Sequence, residues 1–197
     1  MSGPTKAMKR LPPGRHGLSR EVVRESQRLR LTAAAAESLA EQGYGGITVT
    51  AISRRAGVST STFYQRFDDI WGCLLAAHES AADRLCERIE AACAGERGRE
   101  ERARAGISAA LSLLASEPAL AQLLSAEPPS GATSLWAARL RLSIRLGVLL
   151  HGVRRDGGGR EARLVGGALS LVSMRARAGG DGLEALAPAL TKILLAP

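Results

Sequence analysis

Aromatic residues are scarce in this 197-residue sequence, at 3% of the chain, whereas hydrophobic residues as a whole make up 45%. A core with so few rings must be built from Ala, Leu, Val and Ile. Ala and Leu favour the α-helix, and strong strand formers are concentrated in one short run at 47–52. The composition therefore predicts an all-α protein.

Long apolar runs are missing as well. The longest uncharged stretches, such as 107–116 and 164–174, are shorter than the roughly 18–20 residues that a membrane-spanning helix needs. The first 30 residues lack the apolar core of a signal peptide. We therefore expect a cytoplasmic protein with no membrane partner.

Cysteine is rare and is not arranged for cross-linking. The sequence holds three cysteines, Cys73, Cys86 and Cys93, and an odd number argues against a disulfide framework. If Cys86 and Cys93 share a helix, they lie roughly 10 Å apart, which is too far for a disulfide. No pair has the close spacing of a zinc site. We expect all three to be buried as small hydrophobic residues.

Recognisable catalytic motifs are also missing. The sequence contains no P-loop, dinucleotide-binding glycine motif, nucleophile elbow or zinc signature, and its three histidines are scattered. The sequence therefore predicts no enzyme activity, no cofactor and no metal site.

Positive charge is concentrated at the amino terminus. Residues 1–30 hold eight Lys or Arg against two Glu, which accounts for +6 of the formal net charge of +8. Such an end is typical of a protein that binds a polyanion, either nucleic acid or an anionic membrane surface. A basic tail that only increases solubility is the alternative.

The first segment of the chain predicts a mobile arm followed by a long helix. Residues 1–18 are rich in Pro, Gly and basic residues and have no hydrophobic period. The helix is expected from Ser19 to Gln42, and the glycine-rich segment 43–46 should end it. Its inner face, at helical spacing, consists of Leu31, Ala34, Ala35 and Leu39.

Two short helices around a glycine follow, at roughly 48–67. Thr48 is placed to N-cap the first of them, Gly57 to end it, and Ser59 to cap the second, over 60–67. The two phenylalanines of 60–67 point one way, and its hydroxyl and amide side chains point largely the other. The major groove of B-DNA admits one α-helix with short polar side chains toward the bases. The pattern favours a helix-turn-helix, although an ordinary helical hairpin has the same spacing.

The remaining chain predicts further helices separated by Gly and Pro clusters. The first runs from about Asp69 to about Ala94. The others are expected at about 99–116, 118–126, 132–155, 160–178 and 182–195.

The helix-turn-helix segment carries a more specific pattern. Without gaps over about 45 residues, 28–75 resembles the DNA-binding domain of the TetR (tetracycline repressor) family of transcriptional regulators. The matching residues are Arg28, Leu31, Ala34, Ala35, Leu39, Glu41, Gly43, Tyr44, Thr48, Val49, Ile52, Ala56, Gly57, Val58, Ser59, Thr62, Phe63, Tyr64 and Phe67.

The resemblance implies DNA contacts position by position. Side chains that approach base edges would be Thr60, Ser61, Thr62 and Gln65. Side chains near the DNA backbone would be Arg28, Arg30, Thr48, Tyr64 and Arg66. Two arginines could follow the arm into an adjacent minor groove, namely Arg15 and Arg20.

One position departs from the family pattern. Ile70 stands where such domains often have a phosphate-contacting Lys, directly after the two carboxylates of Asp68 and Asp69. We expect weaker binding to the DNA backbone at this edge. The carboxylates are expected to cap the next helix, where the helix dipole favours acids.

The resemblance also implies the organisation of the whole chain. It predicts a basic arm (1–18), a three-helix DNA-binding domain (19–75) and a helical effector-binding and dimerisation domain (76–197). The protein would be a homodimer, paired through its last two helices, that binds a palindromic operator and is released by an unknown small molecule, apolar or amphiphilic. Candidate pocket residues are His78, Trp136, His151 and Met174. A transcriptional activator, or an architectural DNA-binding protein without effector control, is the alternative.

Overall fold

The computed structural model describes residues 19–151, 159–178 and 182–195, and this part of the chain is helical and contains no strand. The prediction of an all-α fold is therefore confirmed. The arm predicted at 1–18 lies outside the described residues. The helices are α1 (Arg20–Gly46), α2 (Val49–Ala56), α3 (Thr60–Tyr64), α4 (Ile70–Cys93), α5 (Arg99–Ser116), α6 (Pro118–Ser125), α7 (Thr133–His151), α8 (Gly159–Arg177) and α9 (Ala187–Leu195), with a 3₁₀ turn at Glu184–Leu186.

Helix α1 begins where the sequence predicted and ends within the glycine-rich segment. The Ser19 hydroxyl accepts a hydrogen bond from the Val22 amide at 3.3 Å, so Ser19 is the N-cap. Gly43 has a φ of 66° and breaks the regular helix, as expected of a glycine near a helix end, but helical hydrogen bonding resumes as far as Gly46. The regular helix therefore ends next to the predicted Gln42, and the glycine-rich segment 43–46 ends the element as predicted.

Helix α3 is shorter than predicted. It ends at Tyr64 and not at Phe67, because the amide of Arg66 bonds to the Phe63 carbonyl at 2.8 Å in a tighter, three-residue turn. The amide of Phe67 reaches the same carbonyl at 2.9 Å. The chain thus keeps turning past the helix, and Phe67 still comes to lie in the core, 7% exposed.

The core runs continuously from the helix-turn-helix into the rest of the chain. Helices α1, α2 and α4 pack around Leu31, Ile52, Phe63 and Leu74, each with no exposed surface. Further on, α5 lies between α4, α7 and α9, and α6 packs against α1 and α8. Because α4 belongs to both packing groups, it connects the helix-turn-helix to the remaining two-thirds of the chain.

All three cysteines are buried and free, as predicted. Burial raises the pKa of the Cys73 thiol to about 12 and that of Cys86 to about 11. These thiols are therefore protonated at neutral pH and act as small core residues.

The last predicted helix is also shorter in the structure. A continuous helix over 182–195 would place Pro188 in its interior, where proline lacks an amide donor and clashes with the preceding turn. Instead a 3₁₀ turn comes first and α9 begins at Ala187, so that Pro188 falls in its first turn. Within the described residues, no helix alone has the length and apolar composition of a membrane span. The α5–α6 pair passes that test together but is bent by 117° at its break.

Candidate nucleic-acid interface and apolar cavity

Local hydrogen bonds fix where the two helices of the candidate interface begin. The Thr48 hydroxyl accepts from the Ala51 amide at 3.1 Å and thereby N-caps α2. The Ser59 hydroxyl accepts from the Thr62 amide at 3.0 Å and caps α3 in the same way. Both caps were predicted from the sequence and are confirmed.

Gly57 ends α2 in the left-handed conformation, with φ 66° and ψ 37°. Its amide bonds to the Arg54 carbonyl at 3.1 Å, and the next amide, of Val58, bonds to the Ser53 carbonyl at 3.0 Å. This is the usual glycine termination of a helix, in which carbonyls without an intrahelical partner find donors beyond the end. It turns the chain between α2 and α3 within two residues.

Two phenylalanines hold α3 against the body of the domain. Phe63 is fully buried, Phe67 is nearly so, and their ring centroids lie 5.8 Å apart. The opposite side of α3 faces outward. Thr60, Ser61 and Gln65 are exposed, and Tyr64 keeps 59% of its surface. Four of the six predicted DNA-contacting residues in 60–67 are thus accessible.

Thr62, another of these six residues, is half-buried and is engaged locally. Its hydroxyl lies 2.9 Å from the Ser59 hydroxyl, next to the cap that begins α3. Thr62 therefore supports the start of the helix, and its hydroxyl is shared between that cap and any outside partner.

The three arginines that were predicted to lie near the DNA backbone have different partners within the protein. The guanidinium of Arg28 is exposed and lies 5.1 Å from the centroid of the Phe67 ring. Arg30 donates to the Ala56 carbonyl at 3.0 Å, at the end of α2, and its Nε is buried. Arg66 donates from Nη2 to the Gln27 side chain at 2.9 Å. Arg30 and Arg66 therefore tie the helix-turn-helix to α1.

Of the two predicted minor-groove arginines, Arg20 is exposed in the first turn of α1, and Arg15 lies outside the described residues. The structure also presents Arg54, exposed in the last turn of α2, which the sequence analysis did not single out. Its neighbour Arg55 binds Glu41 and Glu37. The sequence shows a basic pair, and only the fold separates the paired arginine from the accessible one.

The expected cap at the carboxylate pair is confirmed for Asp69. Its Oδ1 accepts from the Gly72 amide at 2.7 Å, which makes it the N-cap of α4. Ile70, at the position where a Lys is usual, is half-buried and packs against the core. The amino-terminal end of α4 thus stabilises the negative charge of Asp69. At the next position, Ile70 contributes core packing where a Lys would contribute a positive charge.

The candidate pocket residues do not converge on one site. His78 is buried, and neither ring nitrogen has a hydrogen-bond partner in the described part of the chain. Burial, with a smaller effect of Arg139, lowers the pKa of His78 to about 4, so the ring is neutral at pH 7. Trp136 and Met174 are 41% and 63% exposed. The side chain of His151 lies outside the described residues.

An apolar cavity of about 50 Å³ lies elsewhere in the carboxy-terminal part. All its lining residues are Ala, Val, Ile or Leu, and they come from α4, α5, α7, α8 and α9. None of the candidate pocket residues with a described side chain lines it. The residues that line this cavity became visible only in the fold.

A buried arginine connects α7 to α6. Arg139 is 7% exposed, and its Nη1 donates to the carbonyls of Ser125, Leu124 and Ala126 at 2.6, 3.3 and 3.4 Å. These carbonyls form the end of α6, where the helix dipole favours a cation. Nη2 donates to the Ser170 hydroxyl of α8 at 3.4 Å. Arg139 therefore joins three helices, one of which, α6, packs on α1.

A sequence model of bacterial regulatory proteins of the tetR family matches residues 31–77. This range contains α2 and α3 and extends into α4. A comparison with proteins of curated function finds no match.

Over 85–90% of its length, the chain also has the fold of solved transcription regulators. The fatty acid degradation regulator FadR from Bacillus halodurans is 21% identical, with 86% of this chain and 95% of that chain covered and a TM-score of 0.69. FadR from Bacillus subtilis, solved in complex with stearoyl-CoA, is 20% identical, with 85% and 97% covered and a TM-score of 0.66. A TetR-like regulator from Rhodococcus sp. RHA1 is also 20% identical, with 90% and 96% covered and a TM-score of 0.66. These likenesses show a shared fold.

Proposed function

We propose that this chain, whose residues 31–77 belong to the tetR family of bacterial regulatory proteins, is a transcriptional repressor in the cytoplasm. It binds a palindromic operator as a homodimer, and a small-molecule effector releases it. The observation that carries the proposal is the outward face of α3. There, hydroxyl and amide side chains are presented on a short helix that Phe63 and Phe67 hold rigidly from behind.

DNA reading follows from the two faces of the helix-turn-helix. With α3 in the major groove, Gln65 and the hydroxyls of Thr60 and Ser61 meet base edges, and Thr62 contributes from the cap. The exposed phenol of Tyr64, the start of α2 at Thr48 and the cations near the groove bind the phosphates. In this scheme 19–75 is the DNA-binding domain, and 76–197 is the effector-binding and dimerisation domain.

The wall of the apolar cavity indicates the chemistry of the effector. A lining of aliphatic side chains alone offers no hydrogen-bond donor or acceptor from side chains, so it favours an unfunctionalised hydrocarbon segment. The likeness to a FadR solved with stearoyl-CoA agrees with an acyl or alkyl chain. We therefore propose an amphiphile whose apolar chain enters the cavity.

Binding must enlarge the cavity, and this enlargement supplies the signal. Ligand sites usually measure roughly 300–1,000 Å³, whereas the cavity measures about 50 Å³. Leu146 and Leu150 on α7 line it, and Arg139 on the same helix holds the end of α6. An effector that displaces α7 would therefore move α6, and with it α1 of the DNA-binding domain.

The DNA-binding part of the proposal is tested by selecting duplexes from a random pool with the full chain. We expect a palindrome whose half-sites are about one helical turn, roughly 34 Å, apart. Gln65→Ala should relax the choice at one base pair by about 1–3 kcal/mol. Gln42→Ala, an exposed glutamine on α1, is the matched control and should leave the ranking unchanged. Selection without enrichment, or equal effects of the two variants, would contradict this assignment.

The effector part is tested by fluorescence anisotropy of the selected operator. Stearoyl-CoA should release the DNA, and acetyl-CoA, which has the same head group and a short chain, should not. Release by both compounds would place recognition in the head group, and release by neither would contradict an acyl effector. Binding that persists unchanged with every amphiphile tested would favour a protein without effector control.

A further inference from the structure

His78 of α4 is a buried side chain whose polar atoms have no partner. It is 4% exposed, and neither nitrogen of its ring has a hydrogen-bond partner among the described residues. A neutral imidazole carries one donor and one acceptor, and burying them without a partner costs free energy. A bound molecule with a hydrogen-bonding group at this position would remove that cost.

Arg139 of α7 carries a buried positive charge that has no anion beside it. Its guanidinium donates to neutral acceptors, which are the carbonyls at the end of α6 and the Ser170 hydroxyl. No ion pair among the described residues includes Arg139. Burial lowers the pKa of Arg139, and Glu127, which lies beyond ion-pair distance, raises it by less. Because buried charges are normally paired, this cation lacks the partner that its burial requires.

Ion pairs between α4 and α7 show that the two helices run parallel and bring the two side chains to the same level. The pairs are Arg141 with Glu79 and Arg145 with Asp83. Both join residues that are 62 positions apart. The same offset places His78 opposite position 140, next to Arg139. In agreement with this placement, the charge of Arg139 contributes to the lowered pKa of His78. His78 and Arg139 are here called the polar pair.

The apolar cavity lies two helical turns further along the same two helices. Leu85 of α4 and Leu146 of α7 line it, and each follows the member of the polar pair on its own helix by seven residues, roughly 10 Å. Residues seven apart share a face of a helix. Between His78 and Leu85, this face of α4 carries the small side chains of Ala81 and Ala82. The apolar cavity and the polar pair therefore lie on one line between α4 and α7.

We infer that the polar pair binds a carboxylate at the head of the effector, whose alkyl chain extends into the apolar cavity. The inference rests on the amphiphilic effector of the proposed function and adds the chemistry of its head group. A carboxylate accepts hydrogen bonds and carries a negative charge, so it accepts from the His78 ring and pairs with Arg139. A neutral ester, or the thioester of an acyl-CoA, offers His78 an acceptor but leaves Arg139 without an anion.

The carboxylate also competes with the end of α6 for Arg139. Nη1 of Arg139 donates to carbonyls there, and the shortest of these bonds, to Ser125, measures 2.6 Å. A charged acceptor forms stronger hydrogen bonds than a neutral carbonyl, so the head group draws the guanidinium away from α6. Because α6 packs on α1, the head group then acts on the same route to the DNA-binding helices as the chain in the cavity.

The test compares decanoate with methyl decanoate, which has the same chain and a carbonyl but no charge. Calorimetry with the full chain, in the absence of DNA, should give a dissociation constant at least about 10-fold lower for decanoate, because charge-assisted hydrogen bonds are roughly twice as strong as neutral ones. His78→Phe should raise the dissociation constant of decanoate at least about 10-fold, since the donor is lost. His78→Gln keeps an amide donor and should restore most of the affinity.

A second pair of variants tests the charge. Arg139→Met should abolish the preference for decanoate over its methyl ester. Arg145→Met is the matched control and should keep the preference, because this exposed arginine of the same helix is paired with Asp83. Thermal melting verifies that each variant folds, and the two His78 variants decide the question should Arg139→Met not fold.

The outcomes are separable from those of the proposed function. Equal affinity of the wild type for the two compounds, binding of neither, or a decanoate affinity unchanged in His78→Phe would overturn the inference while operator binding stands. If the chain selects no duplex DNA, the proposed function fails, and calorimetry still decides whether the polar pair binds a carboxylate. Release of the operator by both compounds at the same concentration would place recognition in the alkyl chain and would also overturn the inference.

Discussion

Replacing Arg139 by Met should weaken the contact between the cavity helix α7 and the end of α6. Methionine has a similar length and is apolar, so the change removes the donors without leaving a large void. The carbonyls of Leu124, Ser125 and Ala126 then lose a charged donor, although only the 2.6 Å bond that Arg139 donates to the Ser125 carbonyl is short.

The magnitude can be worked from that geometry. A hydrogen bond to a charged group contributes roughly 1.5–3 kcal/mol, and a buried carbonyl left without a partner adds about 1–3 kcal/mol. Burial of the Arg139 guanidinium is costly, and the same desolvation lowers its pKa. Replacement by Met removes this cost, which offsets part of the loss in the free energy of unfolding. We therefore expect a loss of about 2–4 kcal/mol in the free energy of unfolding.

Urea denaturation followed by circular dichroism measures this loss, and the m-value should not change. Arg141→Met is the matched control, because it lies on the same helix and its ion pair with Glu79, at 3.1 Å, is exposed. Such a surface pair contributes about 0–1 kcal/mol. If the two variants lost the same stability within about 0.5 kcal/mol, the role given to Arg139 would be refuted.

Two further predictions concern acid stability and salt. Because the pKa of His78 is lowered to about 4 in the fold, the unfolded chain binds more protons below about pH 6.5. The free energy of unfolding should therefore fall by about 3 kcal/mol between pH 6.5 and 4, as measured by urea titrations at each pH. His78→Phe should flatten this dependence of stability on pH. If the variant kept the wild-type dependence, the buried neutral ring would be contradicted. Arg28→Gln should reduce the slope of log affinity for the operator against log salt by about 0.9 per bound subunit, whereas Arg104→Gln on α5 should not. Equal slopes for wild type and Arg28→Gln would remove Arg28 from the phosphate contacts.

Features of the candidate interface that depend on neighbours in sequence could be predicted. Thr48, Gly57 and Ser59 are caps and a turn, and each acts on atoms within five residues of itself. Phe63 and Phe67 share a side of the turn by their spacing alone. Such signals are local, so a sequence pattern is sufficient to read them.

The partners of the arginines could not be predicted, because they are distant in sequence. Arg30 bonds to a carbonyl 26 positions away and Arg66 to a side chain 39 positions away. Trp136 and Met174 were expected in a pocket because of their size and chemistry, yet both are exposed. Whether an apolar side chain faces a cavity, a partner or solvent depends on the packing of helices, which periodicity within one helix leaves undetermined.

Helix α7 combines two contacts. Leu146 and Leu150 line the cavity, and Arg139 holds the end of α6. A rigid helix cannot move at one of these contacts alone, because interiors are close-packed. If an effector displaces α7, the end of α6 and, through it, the position of α1 must change. In the proposed homodimer, such a shift would alter the separation of the two recognition helices, which fit a palindrome only at about one helical turn, roughly 34 Å.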